Sequence, residues 1–222
     1  MNLRIRSAHL ADSTAIQTIK QTVWPEEETT LAQITQALCQ PNHTCLVAQV
    51  DETLVGFMDC FVSISIQKIT RLELDLLAVL PDHRGQGIAS ELIRTSLQRN
   101  YTEPIQMVRA LIQLENTGSQ KAFQNNGFQV LPEHLTLYVA PNHGQNSPQT
   151  SGFSGNLVPV ITLGYSGYWI EPPFSAESMI LPEPFQTAGA LLPKDESLEE
   201  LAVQSGFESI NQYQWWVLPT KE

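Results

Sequence analysis

The stretch Leu77–Ile93, LAVLPDHRGQGIASELI, constrains the fold more than any other in the chain. An apolar run through Leu77 and Val79 stops at Pro81, and the residues from Gly87 onward carry Ile88, Leu92 and Leu97 toward one helical face. That order is strand, turn, helix. Gly85 and Gly87 stand in the turn, one residue apart, directly behind Arg84. Glycine alone takes positive φ without penalty, so the pair can be turn chemistry and nothing more. It can equally be a cradle, because unobstructed backbone N–H groups at a helix N-terminus bind anions and Arg84 adds a charge.

Two nucleotide readings fail on context. A P-loop needs GxxxxGK[ST], and neither the Lys nor its spacing is present. A dinucleotide fingerprint asks for Gly or Ala where Ser90 stands, and it opens the first strand–helix unit of a parallel sheet. Here two helices and a hairpin come first. LRIRSA alternates with period two, and behind Asp12 and Ser13 the residues Ile16, Ile19 and Val23 share a helical face. Leu31, Ile34 and Leu38 repeat that spacing behind Thr30, an N-cap. TCLVAQV and LVGFMDCFVSI flank DET as a hairpin, and RLELDLLAVL leads into the glycine turn. Beyond it QMVRALIQL reads as a strand, NTGSQKAFQNN as a short helix ended by Gly127, and HLTLYV as a closing strand.

The segment Arg84-Gly85-Gln86-Gly87-Ile88-Ala89, between its strand and its helix, resembles the acetyl-coenzyme A signature [RQ]-x-x-G-x-[GA] of the GNAT N-acetyltransferase superfamily. LAV-x-P before it and EN…NNGF behind it strengthen the likeness, which runs from Leu3 to about Val139 in the family's order of elements. The resemblance implies an α/β (α+β) fold with a mixed, mostly antiparallel central sheet flanked by helices. It implies acetyl-coenzyme A as co-substrate, no metal, and acetyl transfer to a primary amine of a small molecule or peptide by direct attack in a ternary complex. The amides of Gly85, Gln86, Gly87, Ile88 and Ala89 would hold the pyrophosphate beside Arg84. Backbone groups of Leu77 and Val79 would pair with pantetheine, the Val79 amide also facing the thioester oxygen as an oxyanion donor. Asn116 matches the family asparagine that contacts the pantetheine arm, and it serves equally well as an N-cap. Phe123 occupies the position where many relatives carry a tyrosine that protonates the departing thiolate. That role is therefore vacant, and no spacing rule favours Tyr138, Tyr165 or Tyr168.

Glu73 lies six residues before Val79, so period-two alternation puts both side chains on one strand face. In one branch of the family a glutamate here takes the amine proton. Asp75 shares the face, and a merely solvated carboxylate is the plain alternative. His43, His83 and His134 pair with no nucleophile and are assigned nothing.

The formal charge of −11 argues against nucleic acid, since phosphate binding needs clustered Lys and Arg. No apolar run approaches the roughly 20 residues of a membrane helix, and the N-terminus lacks a signal pattern, so a cytoplasmic, membrane-free protein is expected. Cys39, Cys45 and Cys60 form no CxxC pair and suit reduced thiols. A homodimer is left open.

Residues 1–140 make the expected acetyltransferase domain, 141–155 a Pro/Gly/Ser-rich linker, and 156–222 a smaller α+β unit that carries −7 of the charge. Within it, DESLEELAVQSGF followed by YQWWVL echoes NTGSQKAFQNNGF followed by HLTLYV. A degenerate second half of the same architecture explains the echo, as does a common helix stop. Two alternatives to an active enzyme follow: a catalytically weak acyl-coenzyme A-binding regulatory module, and an interaction protein presenting WIEPPF, QYQWWVL and the acidic tail.

Overall fold

The structure, a computed structural model, describes residues 2–141, 149–150, 153–182 and 187–219. Its strands are β1 Leu3–Ser7, β2 His43–Val50, β3 Thr53–Ile64, β4 Thr70–Val79, β5 Met107–Gln113, β6 Gln129–Val130, β7 Leu135–Pro141, β8 Gln149–Thr150, β9 Ser154–Ile161, β10 Ser166–Ser175, β11 Met179–Ile180, β12 Thr187–Pro193 and β13 Glu208–Leu218. The helices are α1 Ser13–Val23, α2 Leu31–Leu38, α3 Ile88–Gln98, α4 Thr117–Asn125 and α5 Glu196–Gln204. Thr30 caps α2 as its sequence suggests, its hydroxyl accepting from the Gln33 amide at 3.2 Å. Asp12 does not cap α1 with its side chain; its carboxylate instead binds Arg6 at 2.7 and 2.9 Å.

Strands line up in the order β1-β2-β3-β4-β5-β13-β7-β12-β10-β9, with β6 beside β13, as one sheet among the described residues. Most neighbours are antiparallel; β4 with β5 and β10 with β12 are parallel. Each parallel pair is followed by a helix and a strand that crosses to the other half. β5 leads through α4 to β7, which pairs with β12, while β12 leads through α5 to β13, which pairs with β5. β7 and β13 meet at the centre. The two halves have exchanged their last strands, so the boundary drawn at residue 140 falls inside continuous pairing, and HLTLYV closes the far half rather than its own. Periodicity identifies a strand but says nothing about its neighbour.

The Gly-Phe echo is present in the backbone. Gly127 and Gly206 both have φ of +86°, and the Phe128 and Phe207 amides donate to the Phe123 and Ala202 carbonyls at 3.2 and 3.0 Å. Both helices end in the same left-handed stop. Much of the 141–155 linker lies outside the described residues; of the remainder, Pro141 ends β7, Gln149–Thr150 pairs with β11, and Ser154 opens β9.

Apolar residues fill both faces of the N-terminal half. Ile88, Leu92 and Ile93 of α3 pack with Phe123 of α4 on Met58, Leu72 and Leu74. On the opposite face Ile16 and Ile19 of α1 and Ile34 of α2 pack on Val47, Phe57 and Ala78. Leu163, at the tip of the β9–β10 turn, joins that second cluster and is 1% exposed. The C-terminal half is thereby anchored in the core of the N-terminal half.

Candidate active site

β4 pairs with β5 only from Arg71–Met107 to Leu74–Ala110, after which the two strands part. On its other side β4 stays paired with β3, where Gly56 faces Val79 and Met58 faces Leu77. The Leu80 amide donates to Val55 O at 2.8 Å, so by antiparallel alternation the Ala78–Phe57 pair is also hydrogen-bonded. Leu77 and Val79 then turn their N–H and C=O groups away from β3, into the gap that β5 has left. The Leu77 groups and the Val79 amide thus form an open edge, while the Val79 carbonyl is taken by Arg84 Nε.

The turn at the end of β4 carries Gly85 with φ of +75° and Gly87 with φ of +82°. A Cβ at either position would meet nothing within 4 Å, so the space before the turn is open. Gly87 is the N-cap of α3 and brings no side-chain acceptor, so the first amides of that helix lack side-chain partners. An anionic pyrophosphate fits this cradle. Ile88 contributes only backbone, its side chain being 1% exposed in the core, while Ala89 is half-buried. Arg84 donates its Nε to Val79 O at 3.0 Å, and Gln86 folds back onto Asp82 O at 3.2 Å.

On the opposite face the expectation for Glu73 needs correction. Between Met58–Leu77 and Cys60–Leu74 the register shifts, so Asp75 and Leu76 together oppose the single residue Asp59. One extra residue reverses the alternation. Glu73 therefore shares its face with Ala78, not with Val79. Its carboxylate, moreover, is held on several sides: Arg109 donates Nε to Oε2 at 2.8 Å and Nη2 to Oε1 at 2.9 Å, and the Ser63 hydroxyl reaches Oε1 at 2.7 Å. Arg71 lies against it at 3.2 Å, and both arginines also bind Glu171 of β10. A carboxylate so engaged is poorly placed to accept an amine proton.

Asp75, which the sequence sets beside Glu73 without choosing between them, stands differently. Asp75 sits in the bulge one residue past the last β4–β5 pair, half-buried. Burial first, and then the nearby Asp59 carboxylate, push its carboxyl up to about 7, against the Thr162 hydroxyl, Lys20 and His43. His43, left unassigned above, is buried in an ion pair with Asp59. Burial opposes its charging, but Asp59 prevails and its pKa is raised. The same Asp59 accepts from the Leu163 amide at 2.8 Å, and the fully buried Lys20 donates to Leu163 O at 3.2 Å. No local motif predicts this cluster, because its members come from α1, β2, β3, β4 and the β9–β10 turn.

Glu73 and Asp75 line a small cavity, with about 30 Å³ of water-accessible space, whose far wall is Val158, Val160, Trp169, Glu171 and Trp215, all from the C-terminal half. The Arg109 guanidinium lies over the Trp215 ring at 3.9 Å. Trp216, next in the strand, points the other way and is 8% exposed in the core. The aromatic tail strand is thus a cavity wall on one face and core on the other.

The remaining sequence candidates fall as follows. Asn116 Oδ1 accepts from the Ser119 amide at 3.0 Å, making it the N-cap of α4. Phe123 is 3% exposed and packs edge-on against Phe128, so it lies in the core and offers no hydroxyl. Tyr165 donates to Tyr168 O at 2.7 Å, and burial raises its pKa. No described helix is long and apolar enough to cross a membrane.

Comparison with known proteins agrees with this geometry. The Acetyltransferase (GNAT) family model matches residues 13–128, just over half of the chain. L-2,4-diaminobutyric acid acetyltransferases from Halalkalibacterium halodurans and Marinococcus halophilus are 32% and 33% identical over 81 residues, 36% of this chain and 42% and 46% of theirs. The matched segment thus spans less than half the length of these curated relatives. Among solved structures, Arabidopsis thaliana NAA60 with a bisubstrate analogue superposes at a TM-score of 0.53 and 16% identity, over 61% of this chain and 87% of that one. A GCN5-related glucosamine N-acetyltransferase region of a fungal multi-domain β-N-acetylglucosaminidase superposes at 0.63 and 8% identity, over 97% of this chain and 38% of that one. The second likeness takes in the C-terminal half as well, so the whole sheet has a counterpart in a known fold. With the matched segment holding the glycine turn, the parted strands and both flanking helix pairs, the chain belongs to the acetyltransferase (GNAT) family.

Proposed function

We propose that the protein is an N-acetyltransferase that moves the acetyl group of acetyl-coenzyme A to a primary amine of a small molecule, by direct attack in a ternary complex. The observation that carries this reading is the open edge of β4 ending in two positive-φ glycines before α3. When bound, acetyl-coenzyme A supplies the activated thioester. The amides from Gly85 to Ala89 hold its anionic end, Arg84 adds positive charge, and the backbone of Leu77 and Val79 orients the arm. The Val79 amide donates to the carbonyl oxygen as negative charge develops there. Glu73 was the expected base; its ion pairs favour assigning the role to Asp75, whose carboxyl is poised near neutrality at the mouth of the gap. No side chain is assigned as acid, because the coenzyme A thiol, taken to resemble cysteine with its pKa of about 8.5, leaves tolerably as thiolate.

The acceptor is proposed as a small amine because the cavity is walled in by the C-terminal half, and because the curated relatives are named for an amino acid. Residues 156–222 are read as a degenerate half of the same architecture without a cofactor turn. The cytoplasm is the proposed compartment. Buried Phe123, in the place of a hydroxyl, favours one other reading, a coenzyme A-binding regulatory module without turnover. Free-thiol release from acetyl-coenzyme A with a panel of small amines decides between them. The enzyme gives amine-dependent release with intersecting initial-rate lines. Parallel lines would contradict direct attack, and tight coenzyme A binding with no release for any amine would favour the module.

A further inference from the structure

Arg71 and Trp169 carry polar groups that the fold leaves unanswered. Arg71 is 5% exposed, and its guanidinium is fixed on two of its three nitrogens. Nε donates to Ser63 Oγ at 3.0 Å and Nη1 to Glu171 Oε2 at 3.0 Å, while the buried Nη2 has no partner. The indole Nε1 of Trp169 is likewise buried and unpartnered. Both residues line the cavity that Asp75 lines, and both also line the adjoining outer cavity. A buried donor left without an acceptor is costly, and fully satisfied interiors are the rule.

Each carboxylate oxygen of Glu73 and Glu171 in the cavity already takes at least one donor. Oε1 of Glu73 takes Ser63 and Arg109, its Oε2 takes Arg109, and Glu171 takes one arginine nitrogen on Oε1 and another on Oε2. A ligand hydroxyl or amide brings a proton that needs an acceptor of its own, whereas a carboxylate only accepts. The two arginines and two glutamates cancel in charge. Ionised Asp75 then gives the cavity one net negative charge; a zwitterion leaves that sum unchanged but sets its ammonium toward Asp75 and its carboxylate against the two free donors.

We infer that the acceptor is an amine that also bears a carboxylate, with its amino group toward Asp75 and its carboxylate bound by Arg71 Nη2 and Trp169 Nε1. This rests on the acetyltransferase reading and deepens it by naming the substrate class. The inner cavity beside Asp75 has only about 30 Å³ of water-accessible space, room for an amino group, whereas the outer cavity that Arg71 and Trp169 also line has about 400 Å³, within the size range of small-ligand sites.

The test compares L-ornithine with putrescine, its decarboxylated counterpart, and with D-glucosamine as a hydroxyl-rich amine. Binding is measured by calorimetry on the full chain with coenzyme A present, and turnover is measured separately. Ornithine should bind roughly 10-fold or more tightly than either alternative, as expected for charge-assisted hydrogen bonds. Trp169→Phe, which keeps the ring and removes the N–H, and Arg71→Lys, which keeps the charge and removes the fork, should each narrow the ornithine-to-putrescine ratio. A purely structural role would weaken both ligands alike and leave the ratio intact. Equal binding of ornithine and putrescine, preference for glucosamine, an unchanged ratio in both variants, or binding of none of the three overturns the inference. Preferential ornithine binding without acetylation upholds the carboxylate site while contradicting the acetyltransferase reading, so the two can fail separately.

Discussion

The two halves of the sheet are built alike and equipped differently. β4 pairs with β5 through four rungs, Arg71–Met107 to Leu74–Ala110, and β10 pairs with β12 through four, Gly167–Thr187 to Ile170–Ala190. Beyond the last rung both leading strands run on unpaired by their parallel neighbour. In the N-terminal half that stretch offers the Leu77 and Val79 amides. Its counterpart contains Pro172 and Pro173, which have no N–H to give. After β4 come Gly85, Gly87 and the 11-residue α3, whereas β10 and β12 are joined without a helix among the described residues. A splayed parallel pair is thus a scaffold, and the proposed cofactor site adds backbone donors and a helix N-terminus to it. The second half instead uses its strands to wall the cavity and complete the sheet.

The strongest way to break the comparison is to separate the halves. A chain ending at Ala140 lacks β13, so β5 and β7 lose the strand between them and expose unpaired edges and apolar surface. It should fail to accumulate as soluble, cooperatively unfolding protein. A soluble 1–140 fragment with full activity on the native amine would show that the halves are independent.

Asp75→Asn probes the chemistry that only one half carries. It should lower kcat by roughly 10²–10⁴-fold and abolish the rise in rate through about pH 7 that deprotonation of Asp75 gives the parent. Stability sharpens this. The folded carboxyl titrates above its unfolded value of about 3.9, so ionisation of the unfolded chain reduces stability as pH climbs toward 7. Asparagine removes that decline, and the melting temperature at pH 8 should therefore not fall. A parental rate would return the role to Glu73 or to water.

Smaller effects should be confined to one half or matched between the two. Tyr165→Phe deletes the hydroxyl that joins β10 to β12 through Tyr168 O and Thr187 O, at about 1–3 kcal/mol of stability, with coenzyme A affinity unchanged. Asn116 and Asp195 cap α4 and α5 in equivalent places, so Asn116→Ala and Asp195→Ala should each cost about 1 kcal/mol in thermal unfolding. A marked inequality between the caps would weaken the equivalence.

Local pattern carried the elements of the N-terminal half, the glycine turn and the Gly-Phe stops, because each depends on residues a few positions apart. It could not carry the strand exchange, since HLTLYV reads the same whichever neighbour it pairs with. Nor could it foresee the bulge at Asp75 and Leu76, which reversed the alternation on which the Glu73 assignment rested. β10 and β12 passed unread. Their sequences, SGYWIEPPFS and TAGALLP, contain glycine, proline and alanine, which are depleted in strands, and the sheet overrides that weak local preference. The Lys20–His43–Asp59–Asp75 cluster was invisible because four separate segments assemble it.

Calorimetric titration with coenzyme A tests the central claim most directly, that one half of a symmetric scaffold holds the cofactor. The account predicts one equivalent bound per chain and no binding to a folded Gly87→Val protein, because a β-branched residue at φ of +82° distorts the turn and obstructs the approach to its amides. Two equivalents per chain, or unchanged affinity in that variant, would contradict it.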